Sequence, residues 1–592
     1  MTRGAVVAFV GKSLLLAGIG SILTPGFGPV TAVAQAVEEH NAVPLQGPQL
    51  ATLNASMFAS RPQDPTPFGV TLAGLMIVDA HANGGKLVHH DANGGINTNF
   101  GGPTAQNADL RRLLAKYVGQ PLSFRLLSAI QVDVTQFYRD NGRSLVSVTV
   151  PQQEITSGIV QVNVTSFVLA GKQFEGAPQA STSFLNRQLR VKPGQEVDTD
   201  QLLDDVNWLN QNPFRHVSVV FEPGQAPDST NLTLQVQVGR TWSGYVGLSN
   251  SGTDDTGTMR VFGGANISAL AWQDQQLSYQ FTAAPGSLGS GHLWDAGTDK
   301  GYLSHAVSYF IPITTNSGFR TKLTFGASHI SSYSVPGGVF TSGTDTTVLT
   351  GEIAFPLPKK SGAYNFVPEL YAQVEYNDYD SLQYFSGIPL TANEEKTKLL
   401  HGAIGLRTGM SGMLFGKNSK GSIESSLVFG RKDTDGADAS TYSYAKLSVK
   451  EEIFLPKDTS FAVRVSGQKS PDVLHPLEQM ALGGDGSVRG YPVNGVTGST
   501  AWSASVEYRL APWSFDVGED QGKFHPHVFA DFGYAAQEDP FADQTMSSVG
   551  LGGSFEVGNN VVGTVDIAEA LKAAGSTAAN SPSFAFQLTA RF

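Results

Sequence analysis

Residues 277–283 have the sequence Leu-Ser-Tyr-Gln-Phe-Thr-Ala, in which apolar and polar side chains alternate along the segment. The same alternation recurs at 323–327 and at 370–376. Because successive side chains of a β-strand point to opposite faces, this pattern is typical of strands with one apolar and one polar face. A strand between lipid and a wet lumen needs such faces, and only a closed barrel satisfies every backbone polar group inside a bilayer. The segments therefore predict an antiparallel transmembrane β-barrel.

The predicted barrel occupies residues 240–592. Its alternating segments are separated by polar, glycine-rich stretches, and we interpret 249–258 and 341–347 as loops. At about 10 residues per spanning strand plus turns and loops, the length of this region fits about 16 strands. The last segment is amphipathic and ends on Phe592. A terminal aromatic residue on such a strand resembles the signal read by the barrel-assembly machinery, so that machinery and outer-membrane lipid are expected partners.

The N-terminus has the layout of a secretory signal peptide. The positive residues Arg3 and Lys12 precede a short apolar core at 13–23, and small-x-small cleavage sites follow at 32–36. The apolar core is too short to span a bilayer, which needs about 20 apolar residues. We therefore predict that the chain is exported and that residues 1–36 are removed.

Composition excludes several other classes of protein. The 592 residues include no cysteine, which rules out a disulfide framework and a thiolate metal site. No apolar run after the signal peptide is long enough for a transmembrane helix. The net charge of −12 argues against a nucleic-acid partner. A secreted all-β protein and an outer-membrane barrel remain, and the periodicity favours the barrel.

The region before the barrel has a different pattern, in which helical spacing alternates with strand-like runs. It predicts two β-α-α-β-β units in tandem, at 69–166 and 167–239. In the first unit we expect strands at 70–78, 145–150 and 158–164 and helices at 108–118 and 126–138. In the second unit we expect strands near 168–174, 217–222 and 231–238 and helices near 182–189 and 199–210.

Motifs in a fixed order run through both regions. They are Tyr-Val-Gly-Gln-Pro-Leu at 117–122, Pro-Gln-Gln-Glu-Ile at 151–155, Trp-Leu-Asn-Gln-Asn-Pro-Phe-Arg at 208–215, Leu-Glu-Gln at 477–479, Gly-Gly-Asp-Gly-Ser-Val-Arg-Gly-Tyr at 483–491 and Phe-Ala-Asp-Phe-Gly at 529–533. The two small units resemble POTRA domains, and residues 70–592 resemble the TpsB family of two-partner secretion transporters.

This resemblance implies a mainly β chain whose C-terminal barrel lies in the outer membrane, with two small α+β POTRA domains in the periplasm. It implies a transporter that binds an unfolded TpsA-type exoprotein, of the haemolysin or adhesin kind, and moves it to the cell surface or medium. It implies neither a cofactor nor a metal nor an enzyme, and the chain has no G-x-S-x-G, H-E-x-x-H or Walker motif. The alternative is an outer-membrane insertase of the same superfamily, which usually carries more POTRA units.

The resemblance also implies a site. In the family, the motif at 488–491 tips a loop that folds back into the barrel lumen, and an aspartate of the wall motif pairs with the arginine of the tip. The corresponding residues are Val488, Arg489, Gly490 and Tyr491 in the loop, and Phe529, Asp531 and Gly533 in the wall. The chemistry agrees, because a guanidinium binds a carboxylate through two parallel hydrogen bonds, and strand alternation puts the three wall residues on one face.

Several segments depart from the family pattern. A Gly/Asn-rich insertion at 83–107 contains His89, His90 and Asp91, but two adjacent histidines and one aspartate in a loop are weak evidence, and we predict no metal site. Residues 37–68 contain helical spacing at 48–59, which fits either a helix that plugs the barrel or a disordered segment, and a proline-rich linker follows. His525 and His527 flank Pro526, and we interpret this segment as a turn.

Overall fold

The structure is a computed structural model, and it describes residues 64–592 apart from 81–85, 89–93, 101–107, 142, 144, 227, 269–273, 290–293, 298–299, 336–339, 360–363, 538–541 and 559. The chain divides into two compact units, the first of which ends at Gly239 and the second of which begins at Arg240. The predicted signal peptide, the candidate plug helix and the His89-His90-Asp91 cluster lie outside the described residues. None of the helices in the described ranges is long and apolar enough to cross a membrane.

The first unit begins with a four-stranded sheet that two helices cover on one face. Its elements are β1 (Gly74–Asp79), β2 (Gly95–Phe100), α1 (Ala108–Ala115), α2 (Phe124–Asp140), β3 (Val146–Thr149) and β4 (Ile159–Ser166), with strand order β2-β1-β4-β3. The hydroxyl of Ser123 caps α2 by accepting a hydrogen bond from the Leu126 amide at 3.2 Å. Ile130 and Val134 of α2 are fully buried against Leu75 and Ile77 of β1.

Strand β2 was not expected, because it lies in the Gly/Asn-rich insertion. It pairs in parallel with β1 at the edge of the sheet, and the backbones are so close that a Cβ on Gly74 would lie 2.6 Å from the Gly95 carbonyl oxygen. Another part of the insertion contacts β4, where the Gln161 side chain accepts from the Val88 amide at 2.8 Å and donates to the Lys86 carbonyl at 3.1 Å. The expected β-α-α-β-β unit is therefore β-β-α-α-β-β. Glycine and asparagine are depleted in strands, so the composition of the insertion did not predict the additional strand β2.

The rest of the first unit is a second small α+β fold. It consists of β5 (Val168–Glu175), α3 (Gln179–Gln188), α4 (Thr199–Leu209), β6 (Arg215–Pro223) and β7 (Ser229–Val238), with strand order β5-β7-β6. Asp198 caps α4 by accepting from the Gln201 amide at 2.9 Å. Leu202 and Val206 of α4 pack against Leu232 and Leu234 of β7 in its apolar core.

The second unit is a closed antiparallel barrel of 16 strands, as predicted. Two short strands extend its hairpins, and another two pair with each other inside a loop. In chain order the strands are β8 (Trp242–Ser249), β9 (Arg260–Ser268), β10 (Gln276–Ala283), β11 (Gly301–Thr314), β12 (Arg320–Ser334), β13 (Phe340–Pro356), β14 (Tyr364–Phe385), the short β15 (Ile388–Pro389), β16 (Glu395–Leu414), β17 (Lys417–Thr434), β18 (Ser440–Leu455), β19 (Thr459–Lys469), the loop strands β20 (Met480–Leu482) and β21 (Val496–Gly498), β22 (Ala501–Arg509), the short β23 (Trp513–Val517), β24 (Asp520–Ala535), β25 (Gln544–Val557), β26 (Val561–Ala570) and β27 (Ser581–Arg591).

The barrel closes where its last strand meets its first. Strand β27 pairs with β8, and Phe592 and Gly244 exchange two backbone hydrogen bonds of 3.0 Å each. The two ends of the barrel chain therefore lie at the same rim, and Phe592 lies at the seam with its side chain about half exposed. Its role as an assembly signal stays a prediction.

The alternation found in the sequence separates the two faces of the wall. On β14, Leu370 and Val374 face outward and are exposed, whereas Glu369, Tyr371 and Glu375 face the lumen and are buried. The outer face is thus apolar, and the inner face is polar and charged, as the surface between lipid and an internal cavity requires.

Two segments interpreted as irregular are strand. Residues 341–347 belong to β13 and pair with β14, and 342–347 also pair with β12, because the ladder is made by backbone groups and does not require side chains to alternate. His525, Pro526 and His527 lie within β24 and do not form a turn. Proline is tolerated there because the partner strand is interrupted between β22 and β23, where a ladder hydrogen bond is not needed.

The helix α2 gives a test of the first core. Replacing fully buried Ile130 with alanine should lower the free energy of unfolding of the fragment 64–239 by about 2–5 kcal/mol, because a cavity forms. The control is Val132→Ala on the exposed side of the same helix, for which we expect about 0.5 kcal/mol or less. Urea unfolding followed by circular dichroism measures both, and equal losses would contradict the assigned core.

Candidate functional site

The connection between β19 and β22, residues 470–500, folds back into the barrel lumen. It leaves and re-enters the wall at the rim opposite to the one that holds Trp242 and Phe592. Its short strands β20 and β21 pair with each other, and beyond them the chain reaches inward to Arg489. We call this segment the lumen loop, residues 474–482 its stem, and residues 483–491 its tip.

Arg489 at the tip meets Asp531 on β24 in a bidentate pair. Its Nε donates to Asp531 Oδ2 at 2.8 Å and its Nη2 donates to Oδ1 at 2.9 Å. The backbone amide of Arg489 donates to the same Oδ2 at 3.0 Å. Asp531 is fully buried, so this carboxylate has exchanged its hydration for three donors from one loop residue.

Neighbouring side chains of the wall complete the Arg489 pocket. Nη1 donates to Glu507 Oε2 at 2.9 Å and Nη2 to Ser505 Oγ at 3.1 Å, both on β22. The ring of Phe529 lies against the guanidinium, with its centroid 3.4 Å from Cζ. One cation is thus held between two carboxylates and over an aromatic face, an arrangement that fixes its direction as well as its charge.

The other tip residues fit the wall by shape. Val488 is fully buried and lies close to Gly533. A Cβ added to Gly533 would be 2.8 Å from Val488 Cγ2. Gly490 has a positive φ of 93°, which favours glycine. The Tyr491 hydroxyl accepts from the Ser547 amide at 3.1 Å and lies 2.8 Å from the Lys572 carbonyl. All seven residues singled out in the sequence therefore lie in one cluster, whereas Phe592 lies at the seam.

The stem makes a second attachment, which was not predicted from the sequence. Glu478, in the Leu-Glu-Gln motif, is buried among strands β16 and β18. His401 Nδ1 lies 3.0 Å from its Oε1, Tyr442 donates to the same oxygen at 2.9 Å, and Tyr444 donates to Oε2. No local sequence pattern links a glutamate in a loop to residues on strands far away in the chain. The Leu-Glu-Gln motif was therefore the only feature of the sequence that pointed to Glu478.

The remaining lumen wall carries ion pairs that neutralise one another. Arg407 on β16 binds Glu352 on β13 at 2.8 Å and also pairs with Glu369 on β14, whose other oxygen accepts from Lys322 on β12 at 2.7 Å. A second chain of charges starts at the tip pocket. Arg509 lies between two glutamates: its Nε is 2.7 Å from Glu507 Oε1, and its Nη1 is 2.8 Å from Glu452 Oε1. His527 pairs with Asp566 at 2.7 Å.

Comparison with known proteins identifies this architecture. Residues 369–555, which include both motifs of the tip cluster, match the family described as haemolysin secretion/activation protein ShlB/FhaC/HecB. Residues 100–166 match the POTRA domain of the ShlB type. Both matches are to parts of TpsB-type two-partner secretion transporters, to which this chain is similar. The expectation drawn from its motifs is thereby confirmed.

Individual TpsB relatives are similar over most of their length. The heme/hemopexin transporter protein HuxB of Haemophilus influenzae is 21% identical over 412 residues, which cover 67% of each chain. The outer membrane transporter CdiB of Escherichia coli is 23% identical over 481 residues, 76% of this chain and 74% of its own. The solved structure of CdiB from Escherichia coli has a TM-score of 0.66 at 18% identity and covers 95% of this chain and 94% of its own, so the fold is shared.

These similarities indicate where the molecule lies in the cell. It is an outer-membrane transporter with periplasmic POTRA domains, and the transporters of this family work with secreted TpsA-type partners. The rim with Trp242 and Phe592 follows directly on the POTRA domains and is therefore the periplasmic rim. The lumen loop accordingly enters from the outer rim.

The chain has no cysteine, so a single introduced thiol can report on the tip. We expect Ser487→Cys to react slowly with a membrane-impermeant maleimide added outside cells. Arg489→Ala and Asp531→Ala should each speed labelling by about tenfold or more. Removing one partner of a buried ion pair costs more than about 1.4 kcal/mol, and that free energy corresponds to a factor of ten in the population of the released tip. The double variant should label no faster than the faster single, because both changes remove one interaction.

A glutamate of the same lumen is the control for this labelling. Glu424→Gln removes a carboxylate that accepts from Tyr371 at 2.9 Å on the wall, and it should leave the labelling rate unchanged. Rates that multiply in the Arg489/Asp531 double variant would contradict the assignment of the two residues to one lock.

Proposed function

We propose that this TpsB transporter moves an unfolded TpsA-type exoprotein from the periplasm through the barrel lumen, and that the lumen loop is the gate of that path. The observation that carries the proposal is how the loop is held. Where the loop rejoins the wall, the Thr500 carbonyl accepts from the Ala536 backbone amide at 2.9 Å, whereas the contacts that hold the stem and tip, such as those of Gln468, Arg489 and Tyr491, involve side chains. Such contacts can break one at a time while the barrel stays closed. The loop can thus leave the path without unfolding the wall.

The lumen wall suits a cargo of any sequence. A closed barrel of 16 strands is wide enough for an aqueous channel once the loop is clear. Arg407 is held between Glu352 and Glu369, and Arg509 is held between Glu507 and Glu452, so these charges are engaged by the wall and not by the passing chain. A wall that satisfies its own charges binds an extended polypeptide weakly, and weak binding permits continuous movement.

The POTRA domains offer edges at which an extended chain can dock as an added strand. In the first sheet, β2 covers the edge that β1 would otherwise present, so the sheet ends at β3 and at the outer side of β2. In the second sheet the edges are β5 and β6. An incoming partner that pairs with such an edge is held extended in the periplasm.

No nucleotide-binding motif is present, so we assign no chemical energy source and no catalytic role to the chain. Folding of the exoprotein outside the cell, worth about 5–15 kcal/mol per domain, biases movement outward. During biogenesis we expect contact with the barrel-assembly machinery at the C-terminal strand, and with outer-membrane lipid around the barrel. An insertase of the same superfamily is the alternative, but the family match favours the transporter.

Deletion of residues 70–165 tests the docking role. We expect the barrel to insert normally, because its hydrogen-bond ladder closes without the POTRA domains, and secretion of the partner to fail. The measurement is partner protein in the medium divided by transporter in the outer membrane. Normal export by the deletion variant would contradict docking, whereas a general loss of other outer-membrane proteins would favour the insertase.

Limited proteolysis tests the orientation. Protease added to intact cells should spare residues 64–239, and the same protease should cut them after the outer membrane is permeabilised. Immunoblotting with an antibody against the POTRA domains follows both conditions. Cleavage of these domains in intact cells would show that the barrel is inserted the other way round.

A further inference from the structure

The lumen loop is attached to two different sectors of the wall. Its tip binds β22, β24 and β25 through Arg489 and Tyr491. Its stem binds β16 and β18 through Glu478, and β19 lies between these sectors in the barrel order. The two attachments share no side chain, so each can break while the other is intact.

The Glu478 attachment is built as tightly as the tip pocket. Glu478, His401 and Tyr444 are each no more than 5% exposed, and the two carboxylate oxygens accept from three side chains. Gln468 on β19 also donates to the Glu478 carbonyl at 2.8 Å. A buried carboxylate with this many donors is costly to pull away, because the donors and the charge would all be left unsatisfied.

Apolar packing surrounds this carboxylate. Leu474 and Leu477 of the stem are almost fully buried in a cluster on the lumen side of the wall. The wall residues of the cluster include Tyr379, Leu399, Val428, Tyr442 and Tyr444. His475 adds a contact of 3.0 Å to Glu395 at the start of β16. The first part of the stem, at Leu474 and Leu477, therefore has its own small core, whereas Leu482 at the end of the stem belongs to the core that buries Val488 and Tyr491 at the tip.

From this arrangement we infer that Glu478 is a second anchor of the gate, which holds the stem to the β16–β18 wall while the tip is released. Release of Arg489 swings the tip aside but leaves the stem in the lumen. The whole loop leaves the lumen only when both anchors are lost. Glu478 is thus a positioning residue that limits how far the gate opens, and it acts through the loop rather than by touching the cargo.

The inference takes its biological meaning from the proposed transport function, but its test needs no partner protein. The purified full-length chain is placed in planar lipid bilayers and the open fraction of single channels is recorded. Arg489→Ala should open the pore partially, and Glu478→Gln alone should change it little because the tip still holds. The double variant should raise the open fraction about tenfold over Arg489→Ala and add a larger conductance level, since an independent charge-assisted hydrogen bond is lost.

Two matched comparisons make the result specific. Glu424→Gln in the Arg489→Ala background removes a lumen glutamate that is bonded to Tyr371 on the wall, and it should add nothing. Asp531→Ala in the same background should also add nothing, because it belongs to the anchor already lost. Equal open fractions for Arg489→Ala with and without Glu478→Gln would overturn the second anchor, as would full opening by Glu478→Gln alone.

A barrel-side variant covers the case in which Glu478→Gln fails to fold, which heat-modifiability on gels detects. Tyr442→Phe combined with Tyr444→Phe removes two donors to Glu478 and leaves every charge in place. In the Arg489→Ala background it should raise the open fraction in the same direction. No change there would overturn the inference. A secretion defect in a variant with normal conductance would instead concern the transport function.

Discussion

Inside a bilayer no water is available to hydrogen-bond the backbone, and this constraint determines most of the molecule. Every amide and carbonyl of the spanning strands must find a partner in a neighbouring strand, so the sheet has to close. It closes between β27 and β8, and the last rung joins Phe592 to Gly244. Once closed, the wall has one face for lipid and one for the lumen, and the alternation of side chains follows from that division.

The closed wall creates an interior that must be filled or left wet. Here the lumen loop enters it, and the charged side chains of loop and wall satisfy each other. Asp531, fully buried, accepts three hydrogen bonds from Arg489, and Glu478 accepts from three side chains on two strands. Buried pairs of this kind contribute little net stability compared with apolar packing, but they specify one position and can be exchanged. A gate needs contacts that both specify one position and can be exchanged. Purely apolar contacts are not directional, so they would specify the position of the loop less well.

Three strand segments were not predicted from the sequence, and they share one physical cause. A local sequence pattern reports how side chains are exposed, but it does not report which neighbouring strand pairs with the backbone. Residues 341–347 lack an apolar–polar alternation, yet their backbone groups pair with β12 and β14, so a continuing strand has the composition of a loop. His525 and His527 flank a proline that normally ends a strand, yet the gap between β22 and β23 opposite it removes the need for a donor. Strand β2 is held by β1, and the insertion before it is held at Lys86 and Val88 by Gln161 from β4; neither partner is visible in the Gly/Asn-rich sequence.

The sequence by itself determined the barrel, its 16 strands, the two α+β units before it and the cluster of residues around Arg489. It could do so because lipid imposes a period of two, helices impose their own spacing, and the family motifs keep a fixed order along the chain. Only the tertiary structure brought Glu478 against His401, Tyr442 and Tyr444, joined the wall charges into self-neutralising groups, and put the insertion at the edge of the first sheet. These contacts join residues that lie far apart in the chain. Which of them meet depends on barrel register and loop path, which no local pattern encodes.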